Sequence, residues 1–218
     1  VIFDYFNRRT DDLITQLPMP LSSGFDVITT NYGSLNNRGI EVEVKVQVMP
    51  KRSELQWELG FNASHVKTKI RKLPENGVER NRVGGYYAWN PEINDYDWVG
   101  GLQEGGRIGD LFAWKSLGIY ATDEEAKADP VVDMMDPYED KTKYGGDTRW
   151  YDADGNGQID EKDICYMGNT YPKWTGGISS SWSWKNFDLY LRMDYMTGHT
   201  IFNEQKIFLC GRWAGNLN

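Results

Sequence analysis

Apolar and polar residues alternate strictly along several segments of the chain. In residues 40–48 (IEVEVKVQV) every second residue is Ile or Val, and the residues between them are Glu, Lys or Gln. A period of two residues predicts a β-strand with one apolar and one polar face. The same pattern predicts strands over 55–70, 174–184 and 187–197, and residues 1–9 are expected to form a further strand.

The lengths of the connections between these strands are very unequal. Short polar turns, one containing Pro50 and the other Lys185-Asn186, close the two predicted hairpins, whereas the other connections span roughly 10–35 and 71–173. A compact soluble domain rarely contains a loop of about a hundred residues. Outer-membrane barrels combine short periplasmic turns with long extracellular loops, and strands of about 9–11 residues cross a bilayer when tilted.

The predicted fold class is therefore all-β, with antiparallel strands that form part of a large transmembrane β-barrel. Residues 71–173 are expected to be a large extracellular loop region, and residues 111–120 (LFAWKSLGIY) must then lie inside it. Residues 121–130 could form one short helix with Thr122 or Asp123 as N-cap. A soluble β-sandwich, whose strands also alternate, is the alternative.

Within YDADGNGQIDEKD (151–163), residues 152–163 match the twelve-residue calcium loop of EF-hands, with Gly157 at the sharp turn. We call residues 152–163 the metal-like loop. Calcium prefers oxygen ligands at short spacing, and a structural Ca²⁺ is the cofactor expected here. The last ligand position is Asp rather than Glu, and the Gly- and Pro-rich flanks predict no helix pair. An Asp/Asn/Gly turn without metal is the alternative. The candidate metal ligands are Asp152, Asp154, Asn156, Gln158, Asp160 and Asp163.

Aromatic residues are concentrated in residues 82–110, where four of them are candidates for stacking against a sugar. Packing within the loop is the alternative, because large aromatic side chains are usually buried. The candidates are Tyr86, Tyr87, Trp89 and Trp98.

Composition narrows the function classes. The 218 residues carry a formal charge of −8, which argues against nucleic acid as a partner, and no apolar run is long enough for a transmembrane helix. Cys165 and Cys210 form no C-x-x-C motif, so a disulfide and two free thiols both remain open. No enzymatic activity is expected, because the acidic run Asp133, Asp136, Glu139 and Asp140 has the character of solvated charge.

Four stretches of the chain, 31–44, 57–70, 104–126 and 145–189, resemble successive parts of SusC/RagA-type TonB-linked outer-membrane proteins of Bacteroidota. In that family the metal-like loop is closer to D-x-N-G-D-G, so residue types are exchanged here between Asp154 and Asn156. The chain begins within a strand and ends without a closing element, so it is expected to be a piece of a longer protein. The resemblance implies that this piece is a C-terminal fragment of the barrel.

The resemblance implies a plugged barrel in the bacterial outer membrane that imports nutrient oligomers. The implied partners are a SusD-like surface lipoprotein, the TonB complex through an N-terminal part outside this chain, outer-membrane lipid, and a cargo of oligosaccharide or, less commonly, peptide. The alternative function is a secreted calcium-dependent carbohydrate-binding or adhesin module.

Overall fold

The computed structural model describes residues 1–18, 24, 26–136, 140–203 and 205–206 of the protein. Within these residues the chain forms strands and one α-helix. The strands before the helix are β1 (Ile2–Pro18), β2 (Val27–Gln47), β3 (Leu55–Lys72), β4 (Tyr86–Asn90), β5 (Asp95–Val99), β6 (Asp110–Trp114) and β7 (Ser116–Ile119). The helix is α1 (Asp123–Ala128), and the strands after it are β8 (Val132–Asp133), β9 (Thr148–Trp150), β10 (Gln158–Ile159), β11 (Ile164–Asn169), β12 (Trp174–Trp184) and β13 (Phe187–Thr197).

A five-stranded antiparallel sheet in the order β1-β2-β3-β12-β13 contains all the long strands. The predicted strands 174–184 and 187–197 are confirmed residue for residue as β12 and β13. The all-β, antiparallel fold class is likewise confirmed.

The prediction of a loop over residues 10–35 is wrong, because most of that segment continues β1 and β2. Thr10 lies opposite Leu35, and Pro18 lies opposite Val27. The register shifts between Thr10 and Thr15 insert extra residues into the ladder. Such bulges interrupt the period-two alternation that marks a strand in the sequence, so the pattern ends before the strand does.

Strand register brings the apolar sides of the separate strands onto one face of the sheet. Residues directly opposite each other on antiparallel strands point to the same side. One row of opposed residues contains Val44, Phe61, Ile178 and Met193. Their exposed fractions reach 41% for Phe61, 48% for Ile178 and 68% for Met193. This apolar face is therefore open along the sheet, where a soluble sandwich would bury it.

The opposite face of the sheet is polar. A typical row aligns Glu41, Ser64 and Thr175, and the Ser64 hydroxyl donates to a Glu41 carboxylate oxygen at 3.2 Å. Charged residues on this face include both acids and bases, for example Lys45 and Asp188. The sheet thus separates one apolar surface from one hydrated surface.

Aromatic side chains lie near both ends of the apolar face. Trp57 and Trp182 stack near the short turns, with 6.1 Å between their ring centroids. Near the long loops, the ring centroids of His65 and Trp174 are 4.9 Å apart. Trp174 and Trp184 are ten residues apart on β12, so about 34 Å separates them along the strand. With the usual barrel tilt this distance corresponds to roughly 25 Å, the height of the apolar band of an outer-membrane barrel.

Within 71–136 and 140–173, the chain adds only the end of β3 to the large sheet, and the other strands form four small two-stranded sheets. Residues 111–120 form parts of β6 and β7, which pair with β11 and β9 and not with the large sheet, as predicted. The predicted helix is also present: α1 begins after Thr122, whose hydroxyl accepts a hydrogen bond from the Glu125 backbone N–H.

The buried apolar core of the described residues lies mainly in the loop region. It consists of Ile70, Leu73, Ala88, Tyr120, Ala126, Ile159 and Ile164. Among the residues that the structure describes, no helix is long and apolar enough to cross a membrane.

Candidate functional site

Three of the predicted metal ligands converge in the loop between β9 and β11. Carboxylate oxygens of Asp152, Asp154 and Asp163 all lie within 4.8 Å of one another. The turn that gathers them depends on Gly155 (φ +73°) and Gly157 (φ +81°), which have left-handed backbone conformations that favour glycine. Their backbone N–H groups each donate to Asp152 at 2.8 Å.

Asp163 is the fully buried member of this cluster, with no exposed surface. Its carboxylate accepts hydrogen bonds from the backbone N–H groups of Ala153 at 2.7 Å and Asp160 at 2.8 Å. Burial is the main cause that raises the pKa of Asp163, and the nearby charges of Asp154 and Asp152 raise it further. A cation at the cluster would offset both effects, since it favours the charged carboxylates.

Asp154 connects the cluster to a distant part of the chain. Its Oδ2 accepts hydrogen bonds from the Tyr96 hydroxyl at 2.5 Å and from the Asn156 side-chain amide at 2.9 Å. Burial acts to raise the pKa of Asp154, but these hydrogen bonds outweigh it and lower the pKa. The same bond to Asp154 is the largest cause that raises the pKa of Tyr96 to about 12.

The other three predicted ligands have structural roles within the loop. The Asn156 side-chain oxygen accepts from the Gln158 backbone N–H at 2.7 Å. Asp160 accepts from the Lys162 backbone N–H at 2.7 Å and caps a single 3₁₀ turn. Gln158 lies in β10, which pairs in parallel with β8. The donor set of three clustered carboxylates still fits a hard cation such as Ca²⁺, which takes oxygen ligands.

The aromatic candidates lie on the β4–β5 hairpin, and three of the four share one face. Tyr87 lies 5.6 Å from Trp98, and Trp89 lies 5.4 Å from Tyr96, measured between ring centroids. Tyr86 faces the other side of the hairpin, opposite Val99. Stacking within this cluster favours a packing role for much of its aromatic surface.

Trp98 is covered further by Arg82, whose guanidinium carbon lies 3.5 Å from the centre of the indole ring. Tyr87 keeps 47% of its surface exposed and Tyr86 keeps 46%. These two tyrosines therefore retain the most surface for a ligand. They border a groove whose other wall includes Glu161 and Lys162 of the metal-like loop.

Tyr96 is a residue of the candidate site that the sequence patterns do not identify. It belongs to the shared aromatic face, and its hydroxyl links that face to Asp154. The alternation of Tyr96 with Trp98 in β5 places it beside the predicted candidates. The partner 58 residues away is a tertiary contact that no local pattern predicts.

The remaining candidates have local roles where the structure describes them. Asp133 and Asp140 each accept a backbone N–H two residues onward, from Met135 and Thr142, as turn-forming residues do. Glu139 and Cys210 lie outside the described residues. Cys165 is a free, partly buried thiol.

The exposed apolar face, the polar opposite face and the long structured loops define a segment of an antiparallel sheet of the outer-membrane type. No family model matches the chain. It is 28% identical over 217 residues to the TonB-dependent receptor P3 and 26% identical over 233 residues to the TonB-dependent receptor P39, both of Formosa agariphila. It is also 24% identical over 221 residues to the TonB-dependent receptor SusC of Bacteroides thetaiotaomicron.

These alignments cover 98%, 94% and 98% of the chain but only 20%, 21% and 19% of the relatives, so the chain spans about a fifth of their length. Among solved structures, the RagAB peptide transporter matches with a TM-score of 0.61 at 22% identity, over 95% of this chain and 20% of that chain. The RagAB peptide importer in the closed-closed state matches with a TM-score of 0.59 at 20% identity, again over 95% of this chain and 20% of that chain. Both structures share its fold.

The chain is a homologue of the TonB-dependent receptors of Bacteroidota, the group that includes SusC, as the resemblance of its motifs predicted. TonB-dependent receptors are outer-membrane proteins, and the predicted localisation is confirmed. All of these relatives are named as receptors or transporters, consistent with the expectation that the chain has no enzymatic activity.

Proposed function

We propose that the chain forms part of a TonB-dependent importer that carries nutrient oligomers across the outer membrane. The observation that carries this proposal is its homology to TonB-dependent receptors over nearly its whole length. The two-faced sheet supports it: the apolar face would contact lipid, and the polar face would line the interior of the barrel.

We propose oligosaccharides as the cargo, with peptides as the alternative. Hydroxyl and carboxylate groups on the polar face, such as those of Ser64 and Glu41, suit hydrogen bonding to a hydrated, hydroxyl-rich molecule. Tyr86 and Tyr87 offer exposed aromatic rings in the loop region for stacking. The alternative is favoured by the RagAB structures, which are named as those of a peptide transporter and share the fold.

Residues 71–173 would form the extracellular part of this importer and contact a SusD-like surface lipoprotein. Their small sheets, the helix and the buried core give them a defined surface, which a docking partner requires. Coupling to TonB is proposed for the receptor as a whole.

The carboxylates of Asp152, Asp154 and Asp163 would hold a structural Ca²⁺ in that region. Their convergence within 4.8 Å and the raised pKa of Asp163 support this role. The ion would supply positive charge, while the chain itself holds the loop through the Gly turns and the Tyr96 hydrogen bond.

Growth of a strain that lacks the gene tests the transport proposal. The strain should fail to grow on a defined oligosaccharide as sole carbon source, grow normally on the corresponding monosaccharide, and recover when the gene is restored. Growth on peptide mixtures, measured in parallel, distinguishes the two cargo classes. Normal growth of the deletion strain on every oligomer supplied would contradict an import function.

A further inference from the structure

The outward, apolar side of β3 changes character abruptly near the long loops. From the short turn onward this side presents Leu, Trp, Leu, Phe and Ala at residues 55–63, every second residue. The same side continues with His65, Lys67 and Lys69, and both lysines are exposed. Successive residues on one side of a strand are about 7 Å apart, so the two ammonium groups extend from neighbouring positions directly above the apolar band.

A third cation lies directly beside them on β2. Arg38 is the residue opposite Lys67, it is exposed, and its guanidinium carbon lies 5.5 Å from the centre of the Tyr5 ring. Like charges directly opposite each other destabilise a strand pair. The salt bridges found among the described residues do not involve Arg38, Lys67 or Lys69. We call these three residues the cation cluster.

Acidic residues of the regularly paired part of the sheet all lie on the other face. Within the large sheet the neighbours of the cation cluster on β1 and β2 are neutral: Asn7 faces Arg38, and Asn36 faces Lys69. The acids of the inward face are Asp4, Glu41, Glu43, Glu58, Asp188 and Asp194. Within this regularly paired part the outward face carries cations and no acid. A further cation on this face, Arg9, lies opposite Asn36 and is compensated by a salt bridge with Asp11 at 2.7 Å, beside the bulge of β1.

A cavity of about 520 Å³ borders this cluster between β3 and the start of β12. Its walls include His65, Lys67, Arg107 and Lys173, and none of its lining residues is acidic. Arg107 lies opposite Lys69 in an isolated bridge and forms a salt bridge with Asp110 at 3.1 Å, so its charge is partly compensated. The volume lies within the range of ordinary ligand pockets, from about 300 to 1,000 Å³.

We propose that the cation cluster binds the phosphate groups of a phosphorylated membrane glycolipid, at the headgroup level of the leaflet on the loop side. The proposal rests on the proposed orientation in which the apolar face contacts lipid. Acyl chains would then lie against the apolar face, and the phosphates would contact the cation cluster at the end of that face nearest the long loops. His65 and Trp174 occupy the same level, where aromatic rings line membrane interfaces.

Titration of the full-length protein in detergent, followed by native mass spectrometry, tests this inference. The probes are monophosphoryl lipid A, the same lipid after removal of its phosphate, and inorganic phosphate. The test variant carries R38Q, K67Q and K69Q. The matched control variant carries K45Q, K51Q and R52Q, which removes the same net charge from the inward face and the short turn.

A cation near an anionic headgroup contributes roughly a fivefold gain in affinity, so the test variant should bind the phosphorylated lipid on the order of a hundredfold more weakly. The control variant should bind like the natural protein, and the lipid without phosphate should bind weakly to all three. If the triple variant does not assemble, K69Q alone, which lies opposite the neutral Asn36, should lower the affinity about fivefold.

Equal binding of the two lipids, equal weakening in both triple variants, or unchanged binding in the test variant would each overturn the proposal. Equally tight binding of inorganic phosphate would also overturn it, because the lipid would then not be the source of the phosphate. Uptake of cargo, measured in cells that carry each variant, reports separately on the proposed transport function. Transport that persists without lipid binding leaves that function intact.

Discussion

Replacing Asp163 with Ala removes the buried centre of the metal-like loop. Its carboxylate accepts two backbone hydrogen bonds, from Ala153 at 2.7 Å and from Asp160 at 2.8 Å. Hydrogen bonds to charged groups contribute about 1.5–3 kcal/mol each, so D163A should destabilise the local folded state of the loop by about 3–6 kcal/mol. Relief of repulsion with Asp152 and Asp154 offsets part of this loss.

Hydrogen exchange of the full-length protein, measured by mass spectrometry on peptides from 151–164, provides the assay. In D163A the amides of Ala153 and Asp160 should exchange at least tenfold faster than in the natural protein, while peptides from β12 and β13 should be unaffected. E161A is the matched control, because Glu161 is exposed in the same 3₁₀ turn. Unchanged exchange in D163A would refute the structural role of the carboxylate.

Calcium adds a second arm to this experiment. Ca²⁺ should slow exchange in the natural loop and leave D163A unaffected, because a ligand stabilises only the state that binds it. The pKa of Asp163 is raised above its usual value near 3.8, so the folded loop holds a proton more readily than the unfolded chain. Without metal, stability should therefore fall as pH rises from about 3.8 through the folded pKa. Calcium affinity should instead fall as the pH falls, because protonation of the Asp163 carboxylate competes with binding of Ca²⁺. Calcium-independent exchange at neutral pH would contradict the metal proposal.

Three further substitutions test the metal-like loop, the orientation of the apolar face and the register of the large sheet. Y96F removes the hydroxyl that donates to Asp154, so hydrogen exchange should be faster in both the β4–β5 hairpin and the metal-like loop. Ultraviolet titration of this variant should lose one tyrosine with a pKa of about 12. V44K places a charge near the middle of the apolar face and should destabilise the barrel in a bilayer by about 2–4 kcal/mol. E43K, on the polar face, should assemble normally, as measured by heat-modified gel mobility. Equal assembly defects in the two variants would contradict the orientation of the sheet. G176A should block pairing of β12 with β3, because the added Cβ would clash with a backbone oxygen of β3, and normal assembly of this variant would contradict the register.

The sequence predicts strands best where alternation is unbroken. Residues 174–184 and 187–197 alternate to their ends, and the structure has the same bounds. Alternation does not reveal the halves of β1 and β2 near the long loops, because bulges shift the register between Thr10 and Thr15 and a further shift follows Ser34. In those halves the strand conformation is stabilised by pairing with the neighbouring strand, and the residue pattern of one strand carries no information about that pairing.

The candidate site was predictable in composition but only partly in geometry. Spacing alone identified Asp152, Asp154 and Asp163, which the fold brings together. Spacing does not reveal that Asp160 caps a 3₁₀ turn, because a ligand position and a capping position have the same residue preferences. Nor does it reveal the Tyr96 contact, which depends on how the hairpin packs against the loop.

The position of the metal-like loop determines what its stability can influence. Asp163 is followed at once by β11, which pairs with β6. Beyond β11, the Thr170 backbone N–H donates to the Gly109 oxygen at 2.8 Å, and the Lys173 N–H donates to the Thr197 oxygen at 2.9 Å, where the loop region joins the large sheet. Only ten residues separate Asp163 from the first residue of β12. Most of them are held by the pairing of β11 with β6 and by these two hydrogen bonds. A cation at the loop would therefore stabilise the junction between the extracellular region and the sheet, whereas binding of cargo need not involve the ion directly.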